Sequence, residues 1–244
     1  MGGGDEVAAV PTIAYTIAAA LANVAGAAAV LSRRAWSARS LEFVLAFSAG
    51  FLIAVSLGDL VPEAITKGGA DAAWTILIGF MLVHLTQHVF VRHFHFGAET
   101  HQVEHSVGIS ALIGLTLHTF VDGVAIATSF AVNSHLGLLV FAAIVLHKLP
   151  EGFAISSLFL AAGGTRTAAM LAAGALGLAT VLGGIAPGMI GGLATHGLAL
   201  SAGVTLYVGA SNLIPEFQGK RGWHHNAFFF LGVGFYSGLA WLLP

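Results

Sequence analysis

Long apolar stretches separated by short polar breaks run through the whole chain. Predominantly hydrophobic segments cover 7–31, 41–65, 72–92, 106–132, 137–162, 167–190, 196–217 and 225–243. These lengths match the roughly 20 residues that a helix needs to cross a bilayer. The breaks carry Arg, Lys, Asn, Gly or His. No strand-like alternation is present, and lipid demands backbone groups paired within each segment. The pattern predicts an all-α integral membrane protein of eight transmembrane helices, one domain over 1–244. Segments 72–92 and 137–162 are the least clean, because each holds polar residues at mid-depth.

The basic residues give this arrangement a direction. Arg33, Arg34, Arg39, Arg92, Arg166, Lys220 and Arg221 follow segments 1, 3, 5 and 7, whereas Lys67 alone falls in an even-numbered connection. Cytoplasmic loops carry the excess of Lys and Arg. Both termini are therefore expected on the extracytoplasmic side. Met1 to Glu6 has no positive region and the first apolar stretch is too long for a signal-peptide core, so segment 1 is expected to remain as an anchor.

A short motif recurs. Segment 2 ends Gly58-Asp59-Leu60-Val61-Pro62-Glu63 and segment 7 ends Ser211-Asn212-Leu213-Ile214-Pro215-Glu216. In the predicted topology these helices run in opposite directions. Segments 1–3 and 6–8 then form inverted repeats around a central pair, an arrangement of 3+2+3 seen in secondary transporters.

Composition removes several classes. Hydrophobic residues make up 57% of the chain and charged ones 8%, against roughly a quarter charged in soluble domains. Lipid is the natural solvent. A net charge of −2 without a basic cluster leaves no nucleic-acid partner. With no cysteine there is no disulfide, thiolate ligand or thiol nucleophile. The 32 glycines suit close helix contact in a membrane.

Chemistry concentrates in segments 4 and 5. His118 and Asp122 stand four residues apart, as do His147 and Glu151, so each pair lies on one helix face. Two facing helices can thus offer two imidazoles and two carboxylates to one divalent ion. Pro150 removes a backbone hydrogen bond and leaves the carbonyl of Leu146 unclaimed. The plainer alternative is a set of polar contacts gluing helices together. Ionisable groups at mid-membrane are costly and usually functional, which favours the ion site.

The run His118-Thr-Phe-Val-Asp122-Gly resembles the fourth-helix signature of ZIP (Zrt-, Irt-like) metal transporters, and His147-Lys-Leu-Pro-Glu151-Gly resembles the fifth. Residues 206–216 are similar to that family's seventh helix and Leu60-Val-Pro-Glu63 to its second. The resemblance implies passage of zinc, iron, manganese or similar ions toward the cytoplasm, with ligands from helices 4 and 5. It also implies one four-helix bundle moving against a scaffold. Many members build a second metal position from the residue after each signature histidine and a Glu of helix 6. Here those residues are Thr119 and Lys148, and segment 6 has no acid. A single-metal site with Lys148 substituting for the second ion is the expectation.

Other polar residues divide between two readings. His84 and His88 lie one turn apart, and the cytoplasmic connection 93–105 holds His93 and His95. In the family such a loop is read as a metal catch or sensor, and weak metal contact is the expectation here; the plainer alternative is a solvated polar loop. Asp59, Glu63, Asn212 and Glu216 fit vestibule linings or ordinary helix ends. Glu42, His135, His196, His224 and His225 fall near segment ends, where solvation is the default.

Two other functions compete. An intramembrane metal-dependent hydrolase would need a general base beyond the ligands, and no His-Glu-x-x-His occurs. An ion-coupled carrier of an organic solute could use Lys148 and the carboxylates as a proton relay. Metal transport ranks first, with no prosthetic group, Zn2+ or a similar divalent ion as substrate, and no enzymatic activity. Imidazole with carboxylate admits Zn, Fe(II), Mn, Co or Cd and disfavours Cu(I). A plasma or inner membrane is the expected location, and a homodimer is an assembly open to it.

Overall fold

The computed structural model describes residues 4–32, 38–89, 105–220 and 222–242. Among these residues every regular element is helical. In chain order they are α1 (Gly4–Leu31), α2 (Ala38–Val55), α3 (Val61–Val89), α4 (His105–Val132), α5 (Ser134–Ala161), α6 (Arg166–Met189), α7 (Gly191–Tyr207), α8 (Ile214–Phe217) and α9 (His224–Leu242). Among the described residues six stretches are long and apolar enough to cross a membrane: Thr12–Leu31, Glu42–Thr86, Leu112–Val132, Ser134–Leu160, Arg166–Met189 and Gly191–Phe217.

The breaks are shorter than the sequence pattern predicts. Between segments 2 and 3 helical backbone gives way only at Gly69, whose φ of 59° is open to a residue without a Cβ. Between segments 4 and 5 a single residue, Asn133, leaves the helix and caps α5 by accepting a 2.8 Å hydrogen bond from the Leu136 amide. Ile190, in extended backbone, separates α6 from α7. One polar capping residue or one glycine suffices because the helices on either side are held by packing.

The recurring motif folds the same way twice. Ser56–Leu60 and Val208–Leu213 are π-helical turns, each followed by Val61-Pro62 or Ile214-Pro215. The amides of Val61 and Ile214 reach back to the carbonyls of Ser56 and Gly209. Proline cannot donate and its ring crowds the preceding turn; a widened turn ahead of it relieves both effects.

Helices meet most closely where glycines face bare backbone. A Cβ on Gly50 would strike the Phe229 carbonyl and one on Gly232 that of Phe47, which locks α2 to α9. Gly203 against Ile76 and Gly79 against Leu200 lock α7 to α3. Gly50 and Gly203, and Gly79 and Gly232, keep the same separation along the chain as the two π-turn motifs. Likewise Gly152 against Asn23 and Gly26 against Leu149 join α5 to α1, while Gly123 against Thr180 and Gly183 against Phe120 join α4 to α6. The result is two groups: α1, α4, α5 and α6 pack together, and α2, α3, α7 and α9 form the other set. Contacts from Glu42–His225 through Phe51–Phe235 to Asp59–Tyr236 make α2 and α9 parallel.

Candidate metal centre

The proline of α5 prepares the ground for the site. The Leu146 carbonyl left without its helical donor accepts a 3.2 Å hydrogen bond from Ser48 Oγ on α2. This ties α5 to the second helix group one residue before His147. Gly123 and Gly152, which follow the two carboxylate residues, let α6 and α1 close against α4 and α5. The site is thereby walled off from lipid.

His118, Asp122, His147 and Glu151 are all buried, and one ligand atom from each lies within 4.8 Å of the others. His118 Nε2 is 3.4 Å and His147 Nε2 3.3 Å from Asp122 Oδ2. A tetrahedral zinc site with bonds of about 2.1 Å has ligand edges of about 3.4 Å, so each imidazole nitrogen already stands at coordinating separation from the Asp122 oxygen.

The imidazole of His147 is oriented. Its Nδ1 lies 3.0 Å from the Ala143 carbonyl and its Nε2 3.3 Å from Asp122 Oδ2, and because both partners only accept, a neutral ring can donate to just one of them. With the proton on Nδ1, the Nε2 lone pair and the Asp122 oxygen face each other and repel. A divalent ion bound by both relieves that repulsion. His118 Nδ1 and Glu151 Oε1 are buried and lack hydrogen-bond partners among the described residues. This donor set, two imidazoles and two carboxylates, suits zinc and its neighbours.

Lys148 belongs to the same cluster. Fully buried, its Nζ is 2.7 Å from Asp122 Oδ2 and 2.8 Å from Glu151 Oε2. Both carboxylates are therefore bridged by one fixed ammonium. The other residue of that pair, Thr119, is buried with its hydroxyl donating to the Thr116 carbonyl of its own helix.

The remaining candidate residues lie apart from this cluster. Asp59 and Glu63 line an open cavity of about 370 Å³ with Asn133, Ser134, His135 and Leu136. Asp59 accepts a 2.9 Å hydrogen bond from the Tyr236 hydroxyl, and Glu63 is 3.7 Å from Lys67. His84 Nδ1 is 3.3 Å from the Tyr207 hydroxyl. Glu216 is buried, and Asn212 is half-buried with an amide nitrogen that lacks a partner among the described residues. The side chain of His88, and all of His93 and His95, lie outside the described residues.

One assumption about solvation is corrected. His196 and His224 are exposed, but His225 is buried between Phe43 and Phe217, and its Nε2 is 2.9 Å from Glu42. Lys220 Nζ pairs with the same carboxylate at 2.8 Å. Helix-end position signalled solvent; the aromatic residues around His225 were the sign of burial. Asn23, on α1, is a buried polar residue that sequence reading did not single out.

Known proteins resemble this chain in sequence. The model of the ZIP zinc transporter family matches residues 93–240. The zinc transporter ZupT of Escherichia coli strain K12 / DH10B is 28% identical over 221 residues, covering 84% of this chain and 86% of that protein. ZupT of Shigella dysenteriae serotype 1 gives the same identity and coverage.

Proposed function

This chain belongs to the ZIP zinc transporter family, and from that premise we propose that it carries divalent transition metal ions, zinc foremost, across the membrane toward the cytoplasm. It is an integral membrane protein and not an enzyme, as befits a family of transporters. The observation that carries the reading is the buried cluster of His118, Asp122, His147 and Glu151, all four within coordinating reach. Iron, manganese, cobalt and cadmium suit the same ligands.

Eight spans forming one transporter domain remain the reading of the topology. The stretch Glu42–Thr86 holds 45 residues, which as one straight helix would reach about 65 Å, twice a bilayer core. Its break at Gly69 supports two spans, and α9 supplies the last. The shared separation of the glycine crossings and π-turns favours inverted repeats. A plasma or inner membrane with basic connections on the cytoplasmic face fits this order.

Transport follows from the division of the helices. All four ligands and Lys148 lie in the α1, α4, α5, α6 group, so motion of that group against the other would carry the ion as a body. Lys148 fills, by this reading, the place of a second metal ion. The cavity at Asp59, Glu63 and His135 fits an outer vestibule.

Uptake of zinc into proteoliposomes tests the reading, with Mn2+, Fe2+, Co2+ and Cd2+ in parallel. Asp122→Ala and His147→Ala should each lower uptake at least about a hundredfold while the protein still elutes as a folded species. Lower external pH should slow uptake, since both imidazoles must be deprotonated to bind. Wild-type rates in the double variant would sink the site.

A further inference from the structure

Asn23 lies in the second half of α1 with no exposed surface, and neither its amide nitrogen nor its amide oxygen has a hydrogen-bond partner among the described residues. A buried carboxamide in that state bears its whole desolvation penalty, which an apolar residue of similar size would escape. Native folds keep such groups where water or an ion meets them.

The position narrows the choice. α1 makes its closest approach to α5 here: a Cβ on Gly152 would collide with the Asn23 carbonyl and come within 2.9 Å of Asn23 Oδ1. The carboxamide therefore lies against α5 at the residue after Glu151. Glu151 is itself only half engaged, with Oε2 on Lys148 and Oε1 buried without a partner. Beyond Asn23, α1 continues to Leu31, whose carbonyl accepts from Arg166 at the head of α6. Asn23 thus stands on the side of the metal cluster that leads to the basic end of the bundle. On α5, Glu151 is nearer that end than His147.

We propose that Asn23 Oδ1 and Glu151 Oε1 form an oxygen-only station that receives the divalent ion, still partly hydrated, as it leaves the two imidazoles. The inference rests on the transport reading above. Amide and carboxylate oxygens hold zinc less firmly than imidazole does and suit harder ions such as Mn2+. Passing from the four-ligand cluster to this station lowers affinity in the direction of release. The amide nitrogen is left to donate to a water of the ion's shell.

The test uses the full-length chain in proteoliposomes. Asn23→Leu should fold and melt at or above the wild-type temperature, since it removes an orphaned amide. It should bind zinc in detergent with affinity unchanged within about twofold, yet lose about tenfold or more in maximal uptake rate with little change in KM. Asn23→Asp, which keeps an oxygen, should restore most of the rate and raise the Mn2+ to Zn2+ uptake ratio. If Leu is too bulky for the crossing, Asn23→Ala reads the same loss of rate. Wild-type uptake by the Leu or Ala variant overturns the station, and so does a lost rate that tracks lost thermal stability and is not restored by Asp. Absence of uptake by the wild-type protein overturns the transport reading and the station with it.

Discussion

Lys148 is the residue on which the charge balance of the site turns. Two carboxylates in the membrane interior would repel, and one ammonium at 2.7 and 2.8 Å holds both. Removing one partner of such a buried group leaves the others unpaired, at a loss of about 3–5 kcal/mol. Lys148→Met should therefore lower the melting temperature in metal-free buffer and regain much of it at saturating zinc, because the ion can replace the lost cation. Lys148→Asp should raise bound metal from one ion per chain toward two, read by elemental analysis of the purified variant. One ion in both proteins at unchanged affinity would leave Lys148 without its proposed role. On the transport reading proposed above, the same ammonium would repel the mobile ion, weakening capture and favouring turnover.

Helix elements here are held by contacts that side chains would spoil. Gly183 faces the Phe120 carbonyl on α4, whereas nothing stands within 4 Å of a Cβ on Gly174 of the same helix. Gly183→Leu should abolish the monodisperse peak in size-exclusion chromatography, since backbone cannot shift as a side-chain tip can, and even ordinary overpacking costs about 1–3 kcal/mol. Gly174→Leu should leave that peak intact, and a matched loss in both would refute the crossing as the cause. Such asymmetry between glycines is invisible in the sequence. Helical character was legible there because lipid leaves few alternatives to an apolar run, and the gathering of His118, Asp122, His147 and Glu151 was legible because four-residue spacing puts each pair on one helix face. The π-turns were not, since Val61-Pro62 and Ile214-Pro215 look like helix ends until the widened turn ahead of them is seen. Nor was Asn23: one amide in an alanine-rich helix carries no periodic signal, and only its burial against Gly152 distinguishes it.

At the scale of the molecule, orientation can be read without removing any native thiol, because the chain has no cysteine. Ala70 and Thr167 are both exposed, beside Gly69 and Arg166 respectively. Ala70→Cys should react with an impermeant maleimide from outside intact cells, and Thr167→Cys only after the cytoplasmic face is opened. Labelling in the opposite sense would invert the assigned topology. The tightest glycine crossings also bear on how the protein is made. α2 closes against α9, α3 against α7 and α1 against α5, so each early helix has its partner in a later part of the chain. A ribosome delivers α2 to the membrane well before α9 has been translated. Until then the uncovered backbone at Gly50 must face lipid or the insertion machinery. A nascent chain cut short before His224 would keep that cleft open, so α2 reaches its packed state only once the last helix has been made.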